Sequence, residues 1–272
     1  MNAAKKLFSK KILATAVAAG LLALAAVSAN ANLQMRITDV GTGTVILICD
    51  NNVGVGCLAG GDTNGAAENI TVMTSLVNAI LSAAGSKFSF TSAGANDNIA
   101  TATTLDVLNT TNQVDVGVGA ADTLLIEATR DGWLVPPGTK TLTNGPAATL
   151  TLTGTGTDSS TGYNDGGNVL FGHQFFTPTS VFLAGGALCT PILGGVSTCN
   201  DLTQRTGINE AAPFSLSNTQ AIASPAGNAG ANYLVTDSTT KFGQVVVVPE
   251  PASLLLFGIG LTGLGFARRS KS

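Results

Sequence analysis

Histidine and tryptophan occur once each and tyrosine twice in 272 residues, and charged side chains make up only 11% of the chain. These scarcities narrow the chemistry. A Ser-His-Asp arrangement would have to use His173, and no G-x-S-x-G elbow frames any serine. The chain also lacks a G-x-x-x-x-G-K-[ST] loop, an H-E-x-x-H helix and C-x-x-C zinc spacing. Nucleotide-dependent transfer and zinc chemistry have no recognisable carrier here. No fixed internal period is visible, which disfavours a solenoid or propeller. Paired carboxylates for glycoside hydrolysis need only meet in space. Outside the tail, however, the glutamates are Glu68, Glu127 and Glu210, and nothing marks two of the acids as a pair.

Both ends carry targeting signals. Lys5, Lys6, Lys10 and Lys11 precede an apolar run at 12–27 and an A-x-A site at Ala29-Asn30-Ala31. This is the pattern of a secretory signal peptide over residues 1–31, cut after Ala31 or, alternatively, after Ala29. At the other end, Pro249-Glu250-Pro251 stands before an apolar run at 252–267, followed by Arg268, Arg269 and Lys271. As a helix, those 16 apolar residues would reach roughly 24 Å, short of a hydrocarbon core about 30 Å thick. The span is marginal and suits a temporary stay in the membrane. The prolines favour an extended peptide just outside it, and the cationic stop keeps the Arg pair in the cytoplasm with the body outside the inner membrane. An ordinary C-terminal anchor is the simpler alternative.

The order Pro249-Glu250-Pro251, Gly-rich apolar helix, Arg268-Arg269 resembles the PEP-CTERM sorting signal of bacterial exopolysaccharide producers. The resemblance covers residues 249–272. It implies recognition and processing by exosortase, a membrane-embedded cysteine protease. It also implies an exported protein, transiently anchored in the inner membrane and then delivered to the cell envelope or extracellular matrix. Signal peptidase and the secretion machinery are the other implied partners, with exopolysaccharide a candidate.

Residues 32–248 remain as one extracytoplasmic domain. Of the 13 lysines and arginines, four lie in the signal and three in the tail, while all 16 acids except Glu250 lie in the body, whose formal balance is therefore −9. Its six cations, Arg36, Lys87, Arg130, Lys140, Arg205 and Lys241, are scattered singly, so no stripe exists to track phosphates and nucleic acid is excluded as a partner. The four cysteines form two local pairs, Cys49 with Cys57 and Cys189 with Cys199. In an oxidising compartment, near neighbours make the simplest of three connectivities.

Strand patterns occur at 33–39, 44–49, 69–73, 87–91, 103–108, 113–118, 122–129, 148–153, 168–176, 179–183, 214–222, 232–236 and 242–248, with one short helix expected at 74–84 and ended by Gly85. Turn residues separate them. The pattern predicts an all-β fold, a β-sandwich of jelly-roll kind. The stretch Asp122 to Thr129 and the strand at Pro213-Phe214-Ser215-Leu216 are similar to the β-rich bodies of other PEP-CTERM proteins.

Trp133 beside a Pro-Pro turn has two readings, a core plug and a ligand contact, of which the plug is the weightier. His173, within Phe171-Gly172-His173-Gln174-Phe175-Phe176, is expected as a hydrogen-bonded sheet histidine. The turns Asp50-Asn51-Asn52, Asp62-Thr63-Asn64 and Asn164-Asp165-Gly166-Gly167-Asn168 carry enough oxygen to attract calcium, but they are also simply what β-turns require. The expectation is a non-catalytic exported protein without a cofactor. A carbohydrate-binding or adhesive module is the runner-up, and a secreted hydrolase the third class.

Overall fold

The structure, a computed structural model, describes residues 33–101, 104–133, 139–151, 156–192, 194–210 and 213–244. The signal segment, Ala29, Ala31, the motif Pro249-Glu250-Pro251, the helix at 252–267 and Arg268-Arg269 lie outside the described residues. In chain order the first strands are β1 (Leu33–Asp39), β2 (Thr44–Cys49), β3 (Asn69–Thr71), β4 (Phe88–Thr101), β5 (Thr104–Val116), β6 (Asp122–Trp133), β7 (Lys140–Thr151) and β8 (Thr157–Asp165). They are followed by β9 (Phe175–Phe176), β10 (Ser180–Phe182), β11 (Cys189–Ile192), β12 (Val196–Asn200), β13 (Thr203–Ile208), β14 (Phe214–Ser224) and β15 (Asn232–Gln244). Helix α1 (Thr74–Ala83) lies between β3 and β4.

Two antiparallel sheets form a β-sandwich. One runs β10-β8-β14-β6-β1-β2 with β9 beside β8; the other runs β11-β12-β7-β15-β5-β4-β3 with β13 beside β7. Alternation explains which face each strand buries. Leu33, Met35 and Ile37 of β1 face inward, as do Leu124, Ile126 and Ala128 of β6, while Arg36 and Glu127 point to the other face and stand opposite each other. The second sheet answers with Val107, Val114, Leu142, Leu150, Tyr233 and Phe242. Phe214 meets Phe242 edge-on, 4.9 Å between centroids, and so joins the two sheets. Full burial of such side chains contributes about 1.5–3 kcal/mol each.

Part of the interior is polar. Asn218 Nδ2 donates to Asn144 Oδ1 and to Thr240 Oγ1, each at 3.0 Å, which ties β14 to β7 and β15 across the sandwich. Ser160 and Ser238 share a hydroxyl hydrogen bond of 2.7 Å. Asn112 Nδ2 donates to Gln220 Oε1, and Gln220 Nε2 to Asp158 Oδ2. Gly162 is needed in this layer because a Cβ there would come within 2.7 Å of Thr240 Oγ1.

Both expected disulfides form. Cys49–Cys57 closes the loop after β2, and Cys189–Cys199 joins directly opposed residues of β11 and β12. Each contributes about 2–3 kcal/mol in the chain-entropy view. The expected helix also forms, burying Val77 and Leu81, and Asn78 fastens it by donating to Phe90 O and accepting from Phe90 N.

Three expectations change. Residues 168–176 are mostly loop, with only Phe175–Phe176 pairing as a strand. Residues 157–165, which carry no strand pattern, form β8 in the middle of a sheet. Trp133 ends β6 and is 3% exposed, with the Arg130 guanidinium 4.4 Å above its ring. The plug reading applies and the ligand-contact reading is corrected, since a saccharide would find no indole face to stack on.

Candidate functional site on the outer face of one sheet

The outer face of the first sheet carries a cross-strand row: Arg36 on β1, Glu127 on β6, Thr219 on β14 and Thr161 on β8. Register places them side by side, and the side chains of Arg36, Glu127 and Thr219 interact. Arg36 Nε donates to Glu127 Oε2 at 2.7 Å, and its Nη2 stands 2.6 Å from the same oxygen. Thr219 Oγ1 donates to Glu127 Oε1 at 3.3 Å, and His173 Nε2 lies 3.4 Å from that oxygen. Burial raises the Glu127 pKa, but the His173 contact and the Arg36 charge outweigh it and hold the carboxyl below its ordinary value. Glu127 is thus an ionised, saturated acceptor with no proton to donate.

Glu127 is only 3% exposed because the loop between β8 and β9 lies over it. Ser215 Oγ donates to Val169 O at 2.6 Å, Gly132 N to Asn168 Oδ1 at 2.7 Å and Phe171 N to Thr129 Oγ1 at 3.2 Å. The Phe171 ring sits 4.2 Å from the Arg36 guanidinium carbon. Asn168 and Phe171 both adopt left-handed backbone, φ 56° and 57°, a conformation most side chains avoid. Tertiary contacts therefore hold this loop, and strained non-glycine residues concentrate at functional positions more than elsewhere.

An aromatic platform rises beside the buried row. His173 stacks on Tyr163 with centroids 3.8 Å apart and rings 17° from parallel. Its side chain remains 39% exposed. Phe176 pairs with Tyr163 in register, its ring 6.5 Å away, and is 52% exposed. Arg205, reaching over from β13 of the second sheet, places its guanidinium 5.2 Å from the Phe175 centroid and 5.5 Å from that of Phe176. His173 is therefore a loop residue bonded to a carboxylate, not the sheet histidine expected.

Two other places compare poorly as sites. Two of the three turns weighed for calcium, 50–52 and 62–64, do come together, since Asp62 Oδ2 accepts from Asn51 N and Asp62 Oδ1 from Asn64 N and Thr71 N. Asn52 and Asp62 also exchange two bonds, and Asp50 Oδ2 accepts from Glu68 N. These oxygens knit the loop with protein N–H donors. Among the described residues, no three His, Cys, Asp or Glu side chains are grouped to hold a metal.

At one end of the sandwich, a cavity of about 470 Å³ is lined by Val40, Gly41, Asp122, Thr157 and Pro225, among others. Its acid, Asp122, accepts from Gly41 N and Thr123 N through Oδ1. Neighbouring Lys87 donates to the carbonyls of Ala120, Ser224 and Pro225.

Sequence inspection missed Arg36, Tyr163, Phe176 and Arg205 as site residues. Alternation along 122–129 does put Glu127 on the face opposite Ile126, but the partners come from strands whose order in the sheet no local pattern announces.

Comparison with known families places a PEP-CTERM protein-sorting motif at residues 247–270. The tail is thus a sorting motif, and the protein is an exported one. A comparison with curated proteins finds no match. Among solved structures, the carbohydrate-binding module TmCBM61, determined in complex with beta-1,4-galactotriose, is similar over 49% of this chain and 71% of its own. Sequence identity is 11% and the TM-score 0.28, too slight a likeness to inform either fold or ligand.

Proposed function

We propose, on the premise that the chain ends in a PEP-CTERM protein-sorting motif, that it is a non-catalytic surface or extracellular-matrix protein handled by exosortase. The single observation carrying this reading is the motif at 247–270. In this reading, the prolines around Glu250 present the processing site while the apolar run and Arg268-Arg269 halt translocation. The saturated state of Glu127 supports a body without acid–base chemistry, because its oxygens are taken by Arg36, Thr219 and His173. The loop oxygens of Asp50 and Asp62, filled by backbone N–H groups, support a body without a resident cation.

Intact-mass analysis of the protein from envelope and medium fractions tests this reading. The expected species ends near Pro249 to Pro251 and gains the four hydrogens of two disulfides on reduction. A product that keeps residues 252–272 in the membrane would make the tail a plain anchor.

A second reading has a specific observation behind it. Phe176, half exposed on a two-residue strand, stands beside the Tyr163–His173 stack and beneath Arg205. An exposed ring flanked by hydrogen-bonding groups offers an apolar face to sugar C–H groups and polar edges to hydroxyls. This supports a carbohydrate-binding or adhesive face. Retention on matrix polysaccharide that is weakened by Phe176→Ala would establish it.

A further inference from the structure

Resting on that second reading, we propose that the platform takes a neutral polysaccharide, an uncharged hexose chain stacked along Phe176 and His173. Its hydroxyls would be held by Asp165 and Arg205.

Of the body's six cations, Arg36 is tied to Glu127, Lys87 to three backbone carbonyls, and Arg130 to Asp97 and Glu68 at 2.6 and 2.9 Å. Lys140 is 1% exposed. Lys241 on β15 shares a register row with Thr143 and Gln204, one residue out of step with Arg205, and so points to the opposite face of the second sheet. Arg205 is the cation left at the platform among the described residues, and its Nη1 already points at Phe176 O, 3.5 Å away.

Acids frame the same place. Asp165 lies on Tyr163's side of β8, two residues on, and Glu210 packs against Gly166 at the start of the covering loop. The two carboxylates feel each other, since Asp165 adds to the upward push that burial gives Glu210. One guanidinium against two carboxylates leaves the rim negative. A polyanion needs several unspent cations and is repelled by such a field, whereas a polyol gains an acceptor from Asp165 and donors from the guanidinium. The rings supply the stacking surface, and the loop held by Asn168 and Phe171 keeps His173 fixed above Tyr163 without further ordering on binding.

Affinity electrophoresis of the protein as recovered from cells tests the proposal. The gels would contain a neutral glucan, a neutral galactomannan or polygalacturonate. Retardation by a neutral gel and none by polygalacturonate is expected. Phe176→Ala should weaken the neutral interaction about tenfold, in line with the worth of an aromatic contact, and Phe176→Trp should restore it. Glu210→Gln should narrow the discrimination against polygalacturonate. Phe176 is half exposed, so the variants keep the fold, which their melting temperatures verify. Retardation by polygalacturonate with none by the neutral gels overturns the ligand class while leaving a saccharide surface standing. No retardation of the folded wild type in any gel overturns the saccharide reading itself, and unchanged retardation of Phe176→Ala overturns the site.

Discussion

Glu127 and Asp158 are both buried carboxylates of the first sheet, on the strands β6 and β8 that flank β14, yet their pKa values shift in opposite directions. Glu127 lies under a loop on the outer face with a guanidinium, an imidazole and a hydroxyl around it, and its pKa falls. Asp158 faces the interior, where Gln220 Nε2 is a neutral donor at 3.3 Å and its Oδ1 has no partner. Burial pushes it up to about 7, against the hydrogen bonds from Gln220 and the Ser159 backbone. Burial costs both carboxylates alike, so what separates them is whether a cation accompanies the charge. Asp97 shows that one cation is not always enough. It touches Arg130 at 2.6 Å and still rises to about 7, because desolvation and the nearby Glu68 and Asp50 charges exceed what Arg130 returns. The outer face therefore keeps a fixed negative charge, and the interior keeps a proton.

The largest break in this contrast is Glu127→Ala, which strands the Arg36 guanidinium beside Phe171 and frees the loop over β6. A loss of about 2–3 kcal/mol in urea unfolding at neutral pH is expected, less than for a fully buried pair because Arg36 is one-third exposed. A variant as stable as wild type would mean that the loop is held by Ser215, Asn168 and Thr129 alone. Since the Glu127 pKa is lowered from 4.5, its contribution is present above that value and lost as pH falls through the folded one.

Asp158→Asn sharpens the other side. The folded carboxyl keeps its proton up to about pH 7, whereas its ordinary value is 3.8. In that window the native state binds more protons, so stability falls as pH rises and is level above it. The amide removes the ionisation, and a gain of about 1–2 kcal/mol at pH 8 that vanishes near pH 4 is expected. An equal effect at both pH values would assign it to packing. Removing the Cys189–Cys199 bridge, which touches neither acid, should cost about 2–3 kcal/mol at every pH and serves as the reference.

How much of this was legible in the sequence follows from the same division. Leu33, Met35 and Ile37 announce β1 because their inward face is apolar, and Gly85 marks the end of α1 at φ 81°. Strand β8 is silent for the opposite reason. Its inward residues are Asp158, Ser160, Gly162 and Asn164, which complete the polar layer, so no hydrophobic period exists to be read. Phe171, Phe175 and Phe176 mislead in the other direction: they look like a buried strand, but left-handed Asn168 and Phe171 turn that stretch into a loop over the outer face. The near-neighbour cysteines were readable because sequence proximity alone favours those bridges. The Arg36–Glu127–Thr219 row was not, since it depends on β1 and β14 flanking β6 across more than 80 residues in each direction.

The smallest effect discriminates most finely between charge and hydrogen bonding at Glu127. Thr219→Val keeps the shape and β-branching of the side chain but removes the hydroxyl that donates to Oε1. A stability loss of about 0.5–1 kcal/mol is expected, together with a small rise in the Glu127 pKa followed by carboxyl-carbon NMR. Arg36→Gln should raise that pKa further, because the guanidinium supplies both a charge and a hydrogen bond. If Thr219→Val moved it as far as Arg36→Gln, neutral donors alone would suffice to keep a buried carboxylate ionised. Asp158, which has Gln220 and a backbone N–H and still keeps its proton to about pH 7, argues that they do not.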